Sequence, residues 1–367
     1  MKEENECCVS TAHPHTIKKF ELIEKYVDEW ARKILGCKLS RGVLFIDCMC
    51  NSGVYYDDSG NLIDGTALRV VKHLNSIIPN YPDKKAIVCL NDNDPAKIDM
   101  LKNELSKINH RNIQIFIGVN DCDQLLEWVD TKKFRYFNTL LIYDPYKAEI
   151  NWAAISKYLN IWGEVIINHM VSDTTRGAKL AKKDEVIARY EQTYERSIGD
   201  ICAVGNDRDK LNQIIIETLK KHITNASREH FLASVPFYNT RNGQVYNIIH
   251  CCSNIKGHIL FKKIVWQIFG GKSSMKSSQN IEGQLAFGIG NHQIETVTDE
   301  SCYSVDDIAK YIYNKYHEYG SVNLGQIYTD LDHHPIFPSD GFKTKIKKSL
   351  SVIYKCTFPN KEIVKFN

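Results

Sequence analysis

Five apolar runs in this sequence each end in residues that could do chemistry. Gly42-Val43-Leu44-Phe45-Ile46 ends in Asp47, and Ala86-Ile87-Val88-Cys89-Leu90 ends in Asn91-Asp92. Ile113 to Ile117 leads through Gly118 to Asn120-Asp121, Thr139 to Tyr143 ends in Asp144-Pro145-Tyr146, and Glu164 to Asn168 is followed by His169. An acid at such an end can accept both hydroxyls of a ribose, which suits Asp92. Asn120 and Asp121 can meet an adenine amine through a side-chain or backbone acceptor. Each position also has a plainer reading. Asp94 before Pro95 suits a helix cap, as does Asp121. Asp144-Pro145 suits a turn, and lone histidines such as His169 are ordinarily not proton acceptors.

The loop after the first run, Cys48-Met49-Cys50-Asn51-Ser52-Gly53, is where an open α/β sheet presents a cofactor. Gly53 allows close backbone approach, and Asn51 is one of the few non-glycine types that tolerate a left-handed conformation. The expectation is a positive φ at Asn51, with its side chain turned off the ligand's path. A side chain that plugs the crevice would instead favour a fold that has lost its chemistry. The cofactor-binding candidates are Asp47, Cys50, Asn51, Gly53, Asp92, Asn120 and Asp121. His333-His334 and His13-Pro14-His15 lack metal-ligand spacing, and no metal is expected.

Positioning these residues requires strands at 42–47, 86–90, 113–117, 139–143 and 164–168, separated by helices. Thr16 can cap a helix to Leu35 whose Phe20, Ile23, Val27, Trp30 and Ile34 form one stripe. Residues 55–61 read as a turn, and helical patterns follow Thr66, Pro95 and residue 151. This alternation predicts an α/β fold, a Rossmann-like doubly wound sheet. A charged helical region spans roughly 175–225. Strand patterns at 231–237 and 245–251 flank Arg241-Asn242-Gly243-Gln244, a hairpin signal that closes the sheet antiparallel. The domain reading is a helical lead-in at 1–40, the Rossmann domain at 41–270 and a Gly/Ser/Lys-rich linker or lid at 271–300. Residues 301–367 follow as helices 304–318, 323–330 and 340–350 with two short strands around Pro359-Asn360, an order that suits a winged helix. A helical cap without a nucleic-acid role is the alternative.

Composition bounds the class. The 367 residues are 43% hydrophobic and 25% charged, ordinary for a globular chain of one large domain and an accessory one. A net charge of +3 argues for no particular partner, although from Gly341 onward seven lysines face one acid, Glu362. Twelve cysteines without zinc-type spacing, no cleavable leader and no apolar run of about 20 residues suggest reduced thiols in a soluble, cytoplasmic protein.

With these pieces in order, the chain resembles the three-Cys-motif partner protein (TcmP) family. The resemblance runs through His15-Thr16-x-x-Lys19-x-Glu21-Leu22 with Tyr26 and Trp30, Phe45-Ile46-Asp47, Asp64-Gly65-Thr66 and Asn91-Asp92-Asn93-Asp94-Pro95. It continues through Asn120-Asp121-Cys122, Asp144-Pro145-Tyr146, Asn168, Val235-Pro236 and Val245-Tyr246-Asn247-Ile248-Ile249. It implies a methyltransferase domain using S-adenosylmethionine (SAM), a winged-helix-like tail and a three-cysteine partner of radical-SAM type. The family loop is Gly-x-Gly, and Asn51 replaces its first glycine. Asp144-Pro145-Tyr146 also looks like the Asp/Asn/Ser-Pro-Pro-aromatic signature of amino-group methyltransferases with one proline missing. In that chemistry the carboxylate and a backbone carbonyl accept the amine's hydrogens and the ring stacks on the base, which needs positioning more than a strong base. Asp144, Pro145, Tyr146 and Asn168 are the catalytic candidates. The function implied is N-methylation of a nucleic-acid or similar amino group. The alternatives are a lapsed methyltransferase fold serving as a binding partner, or a nucleic-acid binder using the C-terminal domain.

Overall fold

The computed structural model describes residues 9–131, 134, 136–160, 163–276 and 302–366. The apolar runs form the strands β1 (Gly42–Asp47), β4 (Lys85–Asn91), β5 (Gln114–Gly118), β6 (Phe137–Tyr143) and β7 (Gly163–His169), with β2 (Val54–Tyr56) and β3 (Leu62–Asp64) as a separate hairpin. β8 (Phe231–Tyr238) and β9 (Gln244–Cys252) complete a seven-stranded sheet of order β5-β4-β1-β6-β7-β9-β8. β5 through β7 are parallel, and β9 runs antiparallel to both β7 and β8. This is a mixed α/β, Rossmann-like order. Its chain reverses direction at β1, between β4 and β6, so a crevice opens outside the carboxyl ends of those strands.

Period-two alternation sorts side chains onto two cores. Val43 and Phe45 face one core with the helices Pro14–Leu35, Thr66–Ile77, Pro95–Ser106 and Ile255–Ile268. Leu44 and Ile46 face the other with Cys122–Thr131, Trp152–Asn160 and Arg208–His222. Cys48 and Cys50 fall in opposite cores because the chain turns after Asp47; on a continuing strand, residues two apart would share a face.

Local readings failed in instructive places. The first helix begins at Pro14 with His13 at its N-cap and no side-chain cap, so Thr16 caps nothing. Proline needs no amide partner in the first turn. The turn expected at 55–61 is the tip of the β2–β3 hairpin, where Asp57 Oδ1 accepts the Ser59 and Asn61 amides. The Ile255–Ile268 helix was not anticipated. Leu260, Phe261, Ile264, Val265 and Trp266 bury most of its circumference, which narrows its polar stripe to Lys256, Lys263 and Gln267. In the stretch read as linker or lid, residues 277–301 lie outside the described residues. Before them the Ser273 amide donates to the Tyr303 carbonyl at 2.9 Å, and Ser274 is buried.

Beyond that stretch stand the helices Val305–Tyr316, Leu324–His333 and Lys343–Tyr354. β10 (Ser321–Asn323) sits between the first two and pairs antiparallel with β11 (Ile363–Lys365). The strand expected before Pro359-Asn360 is reduced to one bridge, Thr357 to Lys365. Among the described residues no helix is long and apolar enough to cross a membrane.

Candidate functional site

The loop after β1 is strapped to both neighbouring strands. The Cys48 amide donates to the Ile142 carbonyl at 3.2 Å, and the Cys50 amide to the Asn91 carbonyl at 2.7 Å. Asn51 has φ +56° and is fully buried. Its amide donates to Asp92 Oδ2 at 3.1 Å, its Oδ1 accepts the Ser52 amide at 2.7 Å, and its Nδ2 donates to the Tyr146 hydroxyl. The positive φ is as expected. The side chain, however, crosses from the β1 loop to the β6 loop instead of turning away. Gly53 has φ +76°, and a Cβ there would stand 2.6 Å from Leu101 Cδ1, so this glycine serves the packing of Pro95–Ser106 against the loop. The Cys50 side chain lies in the core.

Asn91 and Asp92 organise the three strand ends. Asp92 Oδ1 accepts the Asp94 amide at 3.1 Å and lies 3.8 Å from Lys97 Nζ. Asn91 donates from Nδ2 to the carbonyls of Cys48 (3.1 Å) and Asn120 (2.8 Å), while its Oδ1 accepts the Asn120 amide at 3.2 Å. Sequence reading passed over Asn91; an amide ending a buried strand beside an acid was the available signal.

A cavity of about 630 Å³ opens at these ends, lined among others by Asp92, Asn93, Asn120, Asp121, Pro145 and Tyr146. Lys97 Nζ sits 5.0 Å from the Tyr146 ring centroid. Asp47, Cys50, Asn51, Gly53, Asp144 and Asn168 do not line it. Asp144 and Asn168 belong instead to a second, less accessible cluster. There Lys19, reaching in from the Pro14–Leu35 helix, pairs with Asp144 Oδ2, and Asn168 Nδ2 donates to Asp144 Oδ1 at 2.5 Å. Asn168 Oδ1 is buried with no partner among the described residues. Lys19 belongs to the N-terminal motif already noted in the sequence, but only the fold reveals its counter-ion.

Burial, and then the nearby Asp144 carboxylate, push the Asp47 carboxyl up to about 7. The native state therefore holds a proton that the unfolded chain releases near pH 4, and stability from this group is lost as pH rises from about 4 to 7. Asp47→Asn keeps the acceptor for the Met49 amide (3.3 Å) without the charge. Its stability relative to wild type should improve by about 2–4 kcal/mol between pH 4 and pH 8. Urea unfolding at both pH values would show it, and a difference independent of pH would refute the assignment.

His169 does not join the mouth. It is fully buried, with Nε2 2.8 Å from the Tyr194 hydroxyl and Nδ1 3.4 Å from Asn212 Oδ1, on the sheet face opposite Asn168. Burial lowers it to about 4, so it stays neutral. His334 is a loop residue whose Nδ1 accepts the Ile336 and Phe337 amides. Among the described residues no group of three or more His, Cys, Asp or Glu could hold a metal ion.

No protein-family model matches this chain, and no curated protein matches it. Solved structures with a similar fold include a DUF519 protein of Legionella pneumophila, at 9% identity and TM-score 0.39, covering 69% of this chain and 93% of that one. A precorrin-6y methyltransferase of Geobacter metallireducens matches at 12% identity and TM-score 0.29, covering 63% of this chain and 87% of its own. Coclaurine N-methyltransferase, solved with N-methylheliamine and SAH, matches at 11% identity and TM-score 0.23, covering 61% and 70%. At these scores the fold assignment stands on the strand order itself.

Proposed function

We propose that this chain is a methyltransferase-like protein that binds SAM outside β1, β4 and β5 and transfers a methyl group to a nitrogen. One observation carries the reading: the cavity brings Asp92, Asn120, Asp121 and Tyr146 together from the ends of three parallel strands. The nucleoside half of the ligand fits these residues, with Asp92 facing the ribose and Asn120-Asp121 the adenine. The amino-acid half fits once the Asn51–Tyr146 contact parts, since that side chain stands where a family glycine leaves space. When bound, SAM supplies a methyl group activated on sulfur. The chain's own contribution is to orient an amine: Asp144 accepts its hydrogens once Lys19 gives up Oδ2, Tyr146 offers a ring more than half exposed, and Asn168 fixes the carboxylate.

A second reading has specific support. Lys19 already occupies Asp144, and Asn51 already engages Tyr146. Both suit a lapsed enzyme that keeps the fold as a binding surface, for which the TcmP-like motifs suggest a three-cysteine, radical-SAM-type partner. Calorimetric titration with SAM separates the two. Under the first reading wild type binds saturably, and Asn51→Gly binds about tenfold more tightly because the gate is gone. No heat from either protein at millimolar ligand would sink SAM binding. Binding without transfer to any amine acceptor would leave the lapsed enzyme.

A further inference from the structure

We propose that the Lys343–Tyr354 helix and the turn at Phe358–Glu362 form a docking face for duplex DNA, a winged-helix-type reader independent of the crevice. The order helix, β10, helix, helix, bridge, β11 stacks the Lys343–Tyr354 helix on Val305–Tyr316, where Ser349 Oγ donates to Asp306 Oδ1 at 2.6 Å and Ile346 and Leu350 are buried. The opposite face is exposed and carries Lys345, Lys348 and Val352 at helical spacing.

Three of the helix lysines lie over neighbouring rings. Lys343 lies over Tyr328 at 4.8 Å and Lys345 over Phe342 at 5.6 Å. Lys347 lies over Phe358 at 5.6 Å, with its Nζ 3.5 Å from the Lys361 carbonyl. Those contacts leave the four helix lysines 343, 345, 347 and 348 without a counter-carboxylate among the described residues. They also join the helix to the turn, whose exposed charged side chains are Lys361 and Glu362. The turn is rigid: Asn360 Oδ1 accepts the Glu362 and Ile363 amides at 2.8 and 2.9 Å, holding exposed Lys361 at its tip.

A basic helix with an adjacent basic tip matches a groove flanked by phosphates. The major groove of B-form DNA admits a helix, whereas the deep, narrow major groove of duplex RNA does not. Val352, 59% exposed beside the lysines, suits contact with a thymine methyl.

The test is fluorescence anisotropy of the full chain with a labelled 24-base-pair DNA duplex across a NaCl series. Contacts from Lys345, Lys347, Lys348 and Lys361 would give a log–log salt slope of about −3 to −4. K345E/K348E should weaken binding at least thirtyfold and reduce that slope by about 2. The matched reversal K182E/K183E, at exposed positions outside the face, should stay within threefold of wild type. SAM titration of K345E/K348E should match wild type, showing an intact fold. Absence of DNA binding at 50 mM salt, equal loss in both double variants, or equal affinity for an RNA duplex would each overturn the proposal.

Discussion

Asp144→Ala should destabilise the protein by about 2–3 kcal/mol, and adding Lys19→Met should recover most of that loss. Lys19 and Asp144 have side chains only 10% and 21% exposed, so each has given up most of its water for the other. Removing the carboxylate alone strands an ammonium in a pocket that also contains the Asn168 amide. Breaking a fully buried pair costs about 3–5 kcal/mol, and the partial exposure of Asp144 lowers the figure here. Replacing both partners leaves no orphaned charge. Urea denaturation of the two single variants and the double gives the coupling energy. If the double is as unstable as Asp144→Ala, the ion pair is not the cause. The same proteins bear on the function: methyl transfer should fall at least a hundredfold in Asp144→Ala and stay down in the double, while SAM affinity remains within threefold. Transfer that survives Asp144→Ala would refute the acceptor role.

Lys262→Met should cost roughly 3–4 kcal/mol and loosen the C-terminal helices first. Lys262 is 2% exposed on the Ile255–Ile268 helix, and its Nζ lies 2.7, 2.9, 2.5 and 3.1 Å from the carbonyls of Leu331, Asp332, His334 and Phe337, which share its three N–H donors. Leu331 and Asp332 are at the C-terminal end of the Leu324–His333 helix, where carbonyls lack intrahelical partners and the helix dipole favours a cation. One ammonium thus satisfies the end of that helix and ties it to the sheet domain. Methionine fills the stem's volume but donates nothing. Trp266 Nε1 to the Ile336 carbonyl, at 3.0 Å, and Lys263 Nζ, 3.8 Å from Asp340 Oδ2, would be among the polar ties that remain. Hydrogen exchange should report early loss of protection across 324–354. A variant within 1 kcal/mol of wild type would show that Lys262 is not the clamp.

Much of the fold is legible without coordinates because it is local. Each core strand is a short apolar run whose end is marked by a polar residue, and the Asn242-Gly243 signal locates the closing hairpin, with Asn242 at φ +57°. The Ile255–Ile268 helix escapes that logic, since burial on most sides leaves only the narrow stripe of Lys256, Lys263 and Gln267 to mark its period. β2 and β3 escape it too, being three residues each and pairing with one another and, at Tyr56, with Thr11, not with the main sheet.

At the site, the list of chemistry-bearing residues at strand ends was determined by the sequence itself, because runs of apolar side chains and the turn residues that stop them dictate where strands end. The positive φ of Asn51 follows from the same local chemistry. Which of those residues meet was decided only by tertiary structure. Alternation places Asn168 and His169 on opposite faces, yet nothing local says which face borders the crevice. Lys19 lies 125 positions from Asp144, and Asn51 lies 95 from Tyr146. Such pairings arise when sheet register and helix packing bring distant side chains together, and burial then demands that each polar group find a partner. The first loop therefore keeps the positive φ expected at Asn51, while only the tertiary structure carries that side chain across to Tyr146.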